Sequence, residues 1–294
     1  MSNRIFRDPK LEAEFQRNGY VKMPLLNRET ITRMNEIIDL VIPDDTLKAT
    51  APFYVSMFEQ DTQIKLQLNR LITDYVAPHF ENILHNHRYV AGNVFFKLSG
   101  AGDIDVHDHA DCTEESKYTS LTVWMPLQDT NEENGTLQLV PKSHKLFPFI
   151  SHWNEPYYFI NFIEQLRDYH IPMNSPAGEA VVFCDKTIHY SDINRTSKTR
   201  RALQLKFLPA EAPYLFYHLD KENMDKGFEV YECKSDFYIN NPCSLSFFAE
   251  RPKGLRYLHN VPYQNRFISE DEFVAARNDG ESRRRKFYGQ ALVE

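Results

Sequence analysis

At 294 residues, with 42% hydrophobic and 26% charged residues and a formal net charge of −7, the chain has the balance of a globular protein long enough to bury a sizeable core. The acidic excess excludes a nucleic-acid partner, which needs clustered Lys and Arg on one face, and the short run Arg283-Arg284-Arg285-Lys286 reads as a solvated tail. Four cysteines without C-x-x-C spacing, no signal peptide and no long apolar stretch point to a cytoplasmic protein with no membrane segment.

Asp8-Pro9 opens a short helix, with Asp8 as cap and Pro9 in the first turn; Leu11 and Phe15 share a face, and Asn18-Gly19 stops it. Tyr20 to Leu26 reads as a strand, and Asn27 caps a second helix in which Ile31, Met34, Ile38 and Val41 recur at helical spacing. Between Gln60 and Leu84, Leu66, Ile72, Tyr75, Val76 and Phe80 fit a longer amphipathic helix interrupted near Pro78. From Gly92 the pattern changes to strands: Val94 to Leu98, a Gly100-Ala101-Gly102 turn, then Ile104 to His109. From Tyr118 to Met125, alternation puts Leu121, Val123 and Met125 on one face and Ser120, Thr122 and Trp124 on the other; Pro126 marks an end or an edge.

Asn134-Gly135 is a turn signal between two strands, the second running to Val140. Phe147 to Tyr169 is rich in aromatic residues and reads either as a lid or substrate wall, or as a small hydrophobic core under a loop. Gly178 to Cys184 is an apolar strand, and in the strand that follows, Leu203, Leu205 and Phe207 face one way while Arg200, Ala202, Gln204 and Lys206 face the other. A polar helix is expected from about Ser269 to Asn278.

Two stretches carry chemistry, Val106 to Asp111 and His189 to Asn194. In an extended strand His109 and Asp111 point the same way, so an imidazole and a carboxylate can hold two adjacent corners of a metal octahedron. His189 is the candidate third ligand; two histidines and one carboxylate leave three positions open and suit non-haem Fe(II). Cys112, beside Asp111, is either a thiol near the metal or a small buried residue.

The block from Ser120 to His144, through Trp124, Asp129, Asn134-Gly135, Leu137 and Pro141-Lys142-Ser143-His144, resembles the strand-turn-strand of the phytanoyl-CoA dioxygenase family of Fe(II)- and 2-oxoglutarate-dependent oxygenases. Gly178 to Phe183, followed by His189, Ser191, Asn194 and Arg200, resembles its distal-ligand region, and 200 − 189 = 11 is the family's offset from the distal histidine to the arginine that clamps 2-oxoglutarate.

The resemblance spans roughly residues 10 to 210. It implies a mainly β protein with helical additions, a double-stranded β-helix (jelly roll, cupin-like) core flanked by helices. The whole chain, 1–294, would be one domain, with 211–294 an extension serving as cap or dimer surface. It further implies Fe(II), with 2-oxoglutarate and O2 as cosubstrates, hydroxylating an unactivated C–H of a small metabolite of biosynthesis with release of succinate and CO2; the protein would be a monomer or homodimer.

By residue, the resemblance implies metal ligation by His109, Asp111 and His189, and 2-oxoglutarate held by Arg200 with Ser191 as a second donor. Lys97 and Thr122 would contact the cosubstrate, and His107, Asp108, Trp124 and Gln204 the substrate, with Trp124 alternatively filling the core. His144 matches a structural Ser-His and stays outside the metal shell. His107 shares a face with His109, so a His107/His109 pair, as in cupins that bind metal through several histidines, stays open. So do a cupin-like metalloenzyme that does not use 2-oxoglutarate and a non-catalytic jelly-roll binding module.

Overall fold

Short-range chemistry builds the first elements. In the computed structural model, which describes residues 4–42, 53–153, 155–241 and 243–279, the Asp8 side chain accepts from the Lys10 amide at the head of α1 (Pro9–Asn18). Gly19 closes that helix at φ 85°, its N–H donating to the Phe15 carbonyl, and a Cβ there would lie 2.4 Å from the His144 imidazole. Both the backbone angle and the close approach therefore require glycine. β1 (Tyr20–Pro24) leads to Asn27, whose side chain accepts from the Thr30 amide and caps α2 (Arg28–Val41). The third amphipathic stretch splits into α3 (Thr62–Tyr75) and a 3-10 turn (Ala77–Asn82) that carries Pro78 in its first turn. The basic run Arg283 to Lys286 lies outside the described residues.

The remaining strands are β2 (Phe53–Val55), β3 (His87–Lys97), β4 (Ile104–His107), β5 (Leu121–Pro126), β6 (Leu137–Leu139), β7 (Ile171–Pro172), β8 (Glu179–Cys184), β9 (His189–Ser191) and β10 (Arg200–Pro209). They form a six-stranded antiparallel sheet in the order β1-β8-β5-β10-β3-β2 and a four-stranded one in the order β4-β9-β6-β7, the two layers of a jelly roll. β11 (Leu215–Leu219), β12 (Phe228–Glu232) and β13 (Arg256–Val261) make a further three-stranded sheet. Asn134-Gly135 does not join paired strands as expected, because β5 and β6 lie in different layers. Asn131 caps a 3-10 turn over Glu132–Asn134, the Asn134 side chain accepts from the Asn131 amide, and Gly135 at φ 71° carries the chain across.

The alternation read in β5 and β10 separates core from cavity. Leu121, Val123, Met125, Leu203, Leu205 and Phe207 pack beneath Phe15, Ile31, Met34, Ile38 and Ile72 of the helices, while Thr122, Trp124, Arg200, Gln204 and Lys206 border an internal cavity. Leu203 is fully buried between sheet and helices. Leu203→Ala should lower the unfolding free energy by about 2–5 kcal/mol in urea denaturation. A loss under about 1 kcal/mol would mean that this layer is not close-packed.

The aromatic insertion does two things. Phe149, Tyr158, Phe159 and Phe162 form a small core with Ile268 and with Phe273 of α4 (Glu270–Asp279, the helix expected near Ser269), while Ser151, His152, Trp153 and Tyr157 reach the cavity. No helix among the described residues is long and apolar enough to cross a membrane.

Candidate active site

β4 and β9 pair antiparallel with His107 opposite His189, which brings their rings to 4.1 Å between centres. His109, two residues past His107, places its ring 4.6 Å from that of His189. One ligand nitrogen from each of His107, His109 and His189 lies within 4.8 Å of the others. Each Nδ1–H is committed elsewhere. That of His107 donates to the Asp105 carbonyl (2.7 Å) and that of His189 to the Thr187 carbonyl (2.8 Å). The Nδ1–H of His109 donates to the Asp185 carboxylate (3.3 Å), whose same oxygen receives the Thr122 hydroxyl at 2.6 Å.

Carbonyl and carboxylate oxygens only accept, so each Nδ1 carries the proton and each Nε2 keeps its lone pair. Burial pushes all three imidazoles down, His107 to about 4, so they are neutral near pH 7. Burial alone would raise the Asp185 carboxyl, but Lys206 and His109 hold it below the usual carboxylate range. Neutral rings with outer nitrogens fixed are the form in which histidine binds metal, so the donor set fits a metal ion.

Asp111 is not among these donors. The strand carrying the alternation ends at His107; beyond it the His109 amide donates to the Asp185 carbonyl (3.0 Å) and the Asp111 amide to the Ser151 carbonyl (2.9 Å). That path turns Asp111 toward the loop after Phe149, where its carboxylate forms a buried ion pair with Lys186. The same ammonium donates to the Phe149 carbonyl (2.9 Å) and the Ser151 hydroxyl (3.1 Å). The structure thus brings together two of the three expected ligands, with His107 where Asp111 was expected.

Arg200 starts β10 opposite Lys97. Its guanidinium is buried, lies 5.5 Å and 5.7 Å from the ring centres of Phe95 and Trp124, and is 3.4 Å from the Ser191 hydroxyl. Among the described residues no carboxylate pairs with it, and its Nε has no hydrogen-bond partner. Burial pushes it down to about 10, so it stays charged at neutral pH. A buried cation lacking a counter-ion is costly unless a ligand supplies one, and a planar guanidinium suits a carboxylate.

Lys97 does not border the cavity: its ammonium donates to the carbonyl (2.7 Å) and hydroxyl (2.8 Å) of Ser191 and to the Asp192 carbonyl. Thr122 is taken up by Asp185, and Gln204 places its amide 3.1 Å from His109 Nε2. Trp124 packs with Leu137, Leu139, Val181 and Phe183 and also borders the cavity. Asp108 also borders it and accepts from the Ser151 hydroxyl at 2.6 Å. His144 packs against Phe15, and Cys112 is buried, which pushes its thiol well up.

The sequence reading missed Asp185, Lys186 and the pairing of Lys206 with Asp185. One signal was available: a lysine on the inward face of β10 needs a buried anion. It also missed the far wall of the cavity. Residues of the 211–294 extension supply it, through Phe216 and Tyr217 of β11, Tyr238 of α5 (Phe237–Asn240) and Phe248 of α6 (Leu245–Ala249).

Comparison with known proteins places this geometry. The dioxygenase olcK of Penicillium canescens is 29% identical over 108 residues, covering 37% of this chain and 32% of the relative. The phytanoyl-CoA dioxygenase domain-containing protein 1 homolog of Dictyostelium discoideum is 24% identical over 146 residues, covering 47% and 52%. The chain thus spans about half or less of the length of these curated relatives. Among solved structures, HygX from Streptomyces hygroscopicus with nickel and 2-oxoglutarate bound shares the fold at TM-score 0.51 and 12% identity, over 69% of this chain and 88% of that one. The epimerase SnoN, in complex with Fe3+, alpha ketoglutarate and nogalamycin RO, does so at TM-score 0.50 and 20% identity, over 70% and 84%. Residues 15–202, more than half of the chain, match the phytanoyl-CoA dioxygenase family, and the protein belongs to that family.

Proposed function

We propose that this oxygenase hydroxylates an unactivated C–H bond of a small molecule, with Fe(II) held by His107, His109 and His189 and 2-oxoglutarate anchored by Arg200. The observation that carries the reading is the convergence of three imidazoles whose Nδ1 protons are all committed elsewhere. When bound, iron and 2-oxoglutarate supply the oxidising power: decarboxylation of the oxo acid to succinate and CO2 places one oxygen atom of O2 in succinate and leaves the other for the C–H bond.

The chain's own residues orient and enclose. The Asp105 and Thr187 carbonyls and the Asp185 carboxylate fix the direction of each Nε2 lone pair. Three neutral ligands would leave the charge of a bound metal in place; Asp185, hydrogen-bonded to His109, orients that ring, and its own charge is paired with Lys206. The Arg200 fork can hold the distal carboxylate through two parallel hydrogen bonds, while the Ser191 hydroxyl, which donates its own hydrogen to the Gly135 carbonyl (2.9 Å), accepts from Lys97 and Arg200 and so positions the guanidinium instead of donating to the cosubstrate. Phe95 and Trp124 flank the guanidinium and keep water from it.

Anaerobic visible absorption tests the reading. Metal-free protein given Fe(II) and then 2-oxoglutarate should develop a charge-transfer band only after both additions. Iron binding without the band would favour a cupin-like metalloenzyme, and no iron binding would favour a binding module.

A further inference from the structure

Resting on that reading of the same cavity, we infer that the substrate is a free, rigid, multi-ring molecule that carries no negative charge and presents a hydroxyl or amine, rather than a fatty acid or an acyl thioester of a phosphorylated carrier. The cavity is about 850 Å³, room for several fused rings beside the cosubstrate. Of its 39 lining residues among those described 13 are aromatic, one third, against 13% of the chain. Several of these rings lie nearly parallel. Phe53 and Phe95 stack at 6.0 Å and 20°, and Trp153 and Phe248 at 4.4 Å and 19°. Flat, pre-packed aromatic walls match the faces of a rigid ring system, whereas a flexible chain would lose rotamer freedom on entering.

Charge narrows the class further. Among the described residues, the Lys and Arg side chains on the lining are Arg200, near the three histidines, and Lys206, paired with Asp185. Four aspartates border the same space: Asp103 is paired with Arg167 and Asp111 with Lys186, while Asp105 and Asp108 form no ion pair among the described residues. Asp108 is buried, and one of its carboxylate oxygens has no hydrogen-bond partner, an acceptor that a substrate hydroxyl or ammonium would satisfy. A phosphorylated carrier or a free fatty acid would bring negative charge to this edge with no cation to receive it.

The chain's two tryptophans, Trp124 and Trp153, both border the cavity, so their emission reports its occupancy without turnover. The 294-residue protein, first stripped of metal and then loaded with Fe(II) and 2-oxoglutarate under nitrogen, is titrated with pregnenolone, pregnenolone sulfate and palmitoyl-CoA. Pregnenolone should change the emission saturably in the micromolar range, its sulfate should bind at least about tenfold more weakly, and palmitoyl-CoA should not saturate. Phe248→Ala, and Phe53→Ala on the edge strand β2 where the fold tolerates it, should each weaken pregnenolone about tenfold, and Asp105→Lys should narrow the gap between pregnenolone and its sulfate.

Equal or tighter binding of the sulfate or of palmitoyl-CoA, or no pregnenolone binding at all, would overturn the inference. Pregnenolone binding with no charge-transfer band would instead overturn only the oxygenase reading. The band with no ring binding would overturn only this one.

Discussion

His107→Ala is expected to abolish stoichiometric Fe(II) binding and Asp111→Asn to retain it, which anaerobic dialysis with iron analysis would check. The loss in the first variant exceeds about 100-fold in affinity, because removing even a hydrogen-bond partner of a ligand costs about 10- to 100-fold. The structural reason is the pairing of β4 with β9: His107 lies opposite His189, and the strand stops there. Asp111 instead neutralises Lys186, and both are buried. Asp111→Asn therefore acts on folding. Breaking a buried pair costs about 3–5 kcal/mol, and here the loss sits near or under the lower end because Asp108 and Glu115 also act on Lys186. A lowered Tm with iron retained is the expected signature; iron lost from Asp111→Asn and kept by His107→Ala would restore the two-histidine, one-carboxylate site.

Arg200→Lys should leave Fe(II) binding unchanged but weaken 2-oxoglutarate about 100-fold, within the 2–5 kcal/mol that removing one partner of a buried, hydrogen-bonded charge pair costs. The wild-type guanidinium is permanently charged, flanked by Phe95 and Trp124, and has an Nε left without a partner, the position for a second parallel hydrogen bond. An ammonium offers no such fork. It also titrates: on the neighbouring strand, burial and then the charge of Arg200 push Lys97 down to about 7.

The sign follows. A base whose pKa is lowered by burial loses its charge more readily as pH rises, so 2-oxoglutarate affinity in Arg200→Lys should fall with rising pH, while the wild-type guanidinium, at about 10, stays charged across the neutral range. Following the charge-transfer band against 2-oxoglutarate concentration at several pH values checks both points. Unchanged affinity in the variant would show that the oxo acid is anchored elsewhere.

Much of this was written locally. Asp8, Gly19 and Asn27 mark helix ends because each satisfies backbone groups within a few residues of itself, and the alternation in β5 and β10 sorts Leu203 from Gln204 because a strand's side chains alternate whatever it pairs with. Ser191 and Arg200 were singled out by a resemblance, with the eleven-residue offset from His189, and not by alternation; the fold places His189 and Ser191 on β9 and Arg200 at the head of β10.

What only the tertiary structure decided is where alternation stops and what stands opposite. His107, His109 and Asp111 are equivalent in sequence as long as the strand continues, but the Asp185 and Ser151 carbonyls, supplied by distant segments, take up the backbone after His107 and send the third residue to Lys186. The partners of His109 and Lys206, and the aromatic wall brought by the last third of the chain, have the same origin. Buried charges and cavity walls are completed by residues far apart along the chain, and no local periodicity records which of them meet.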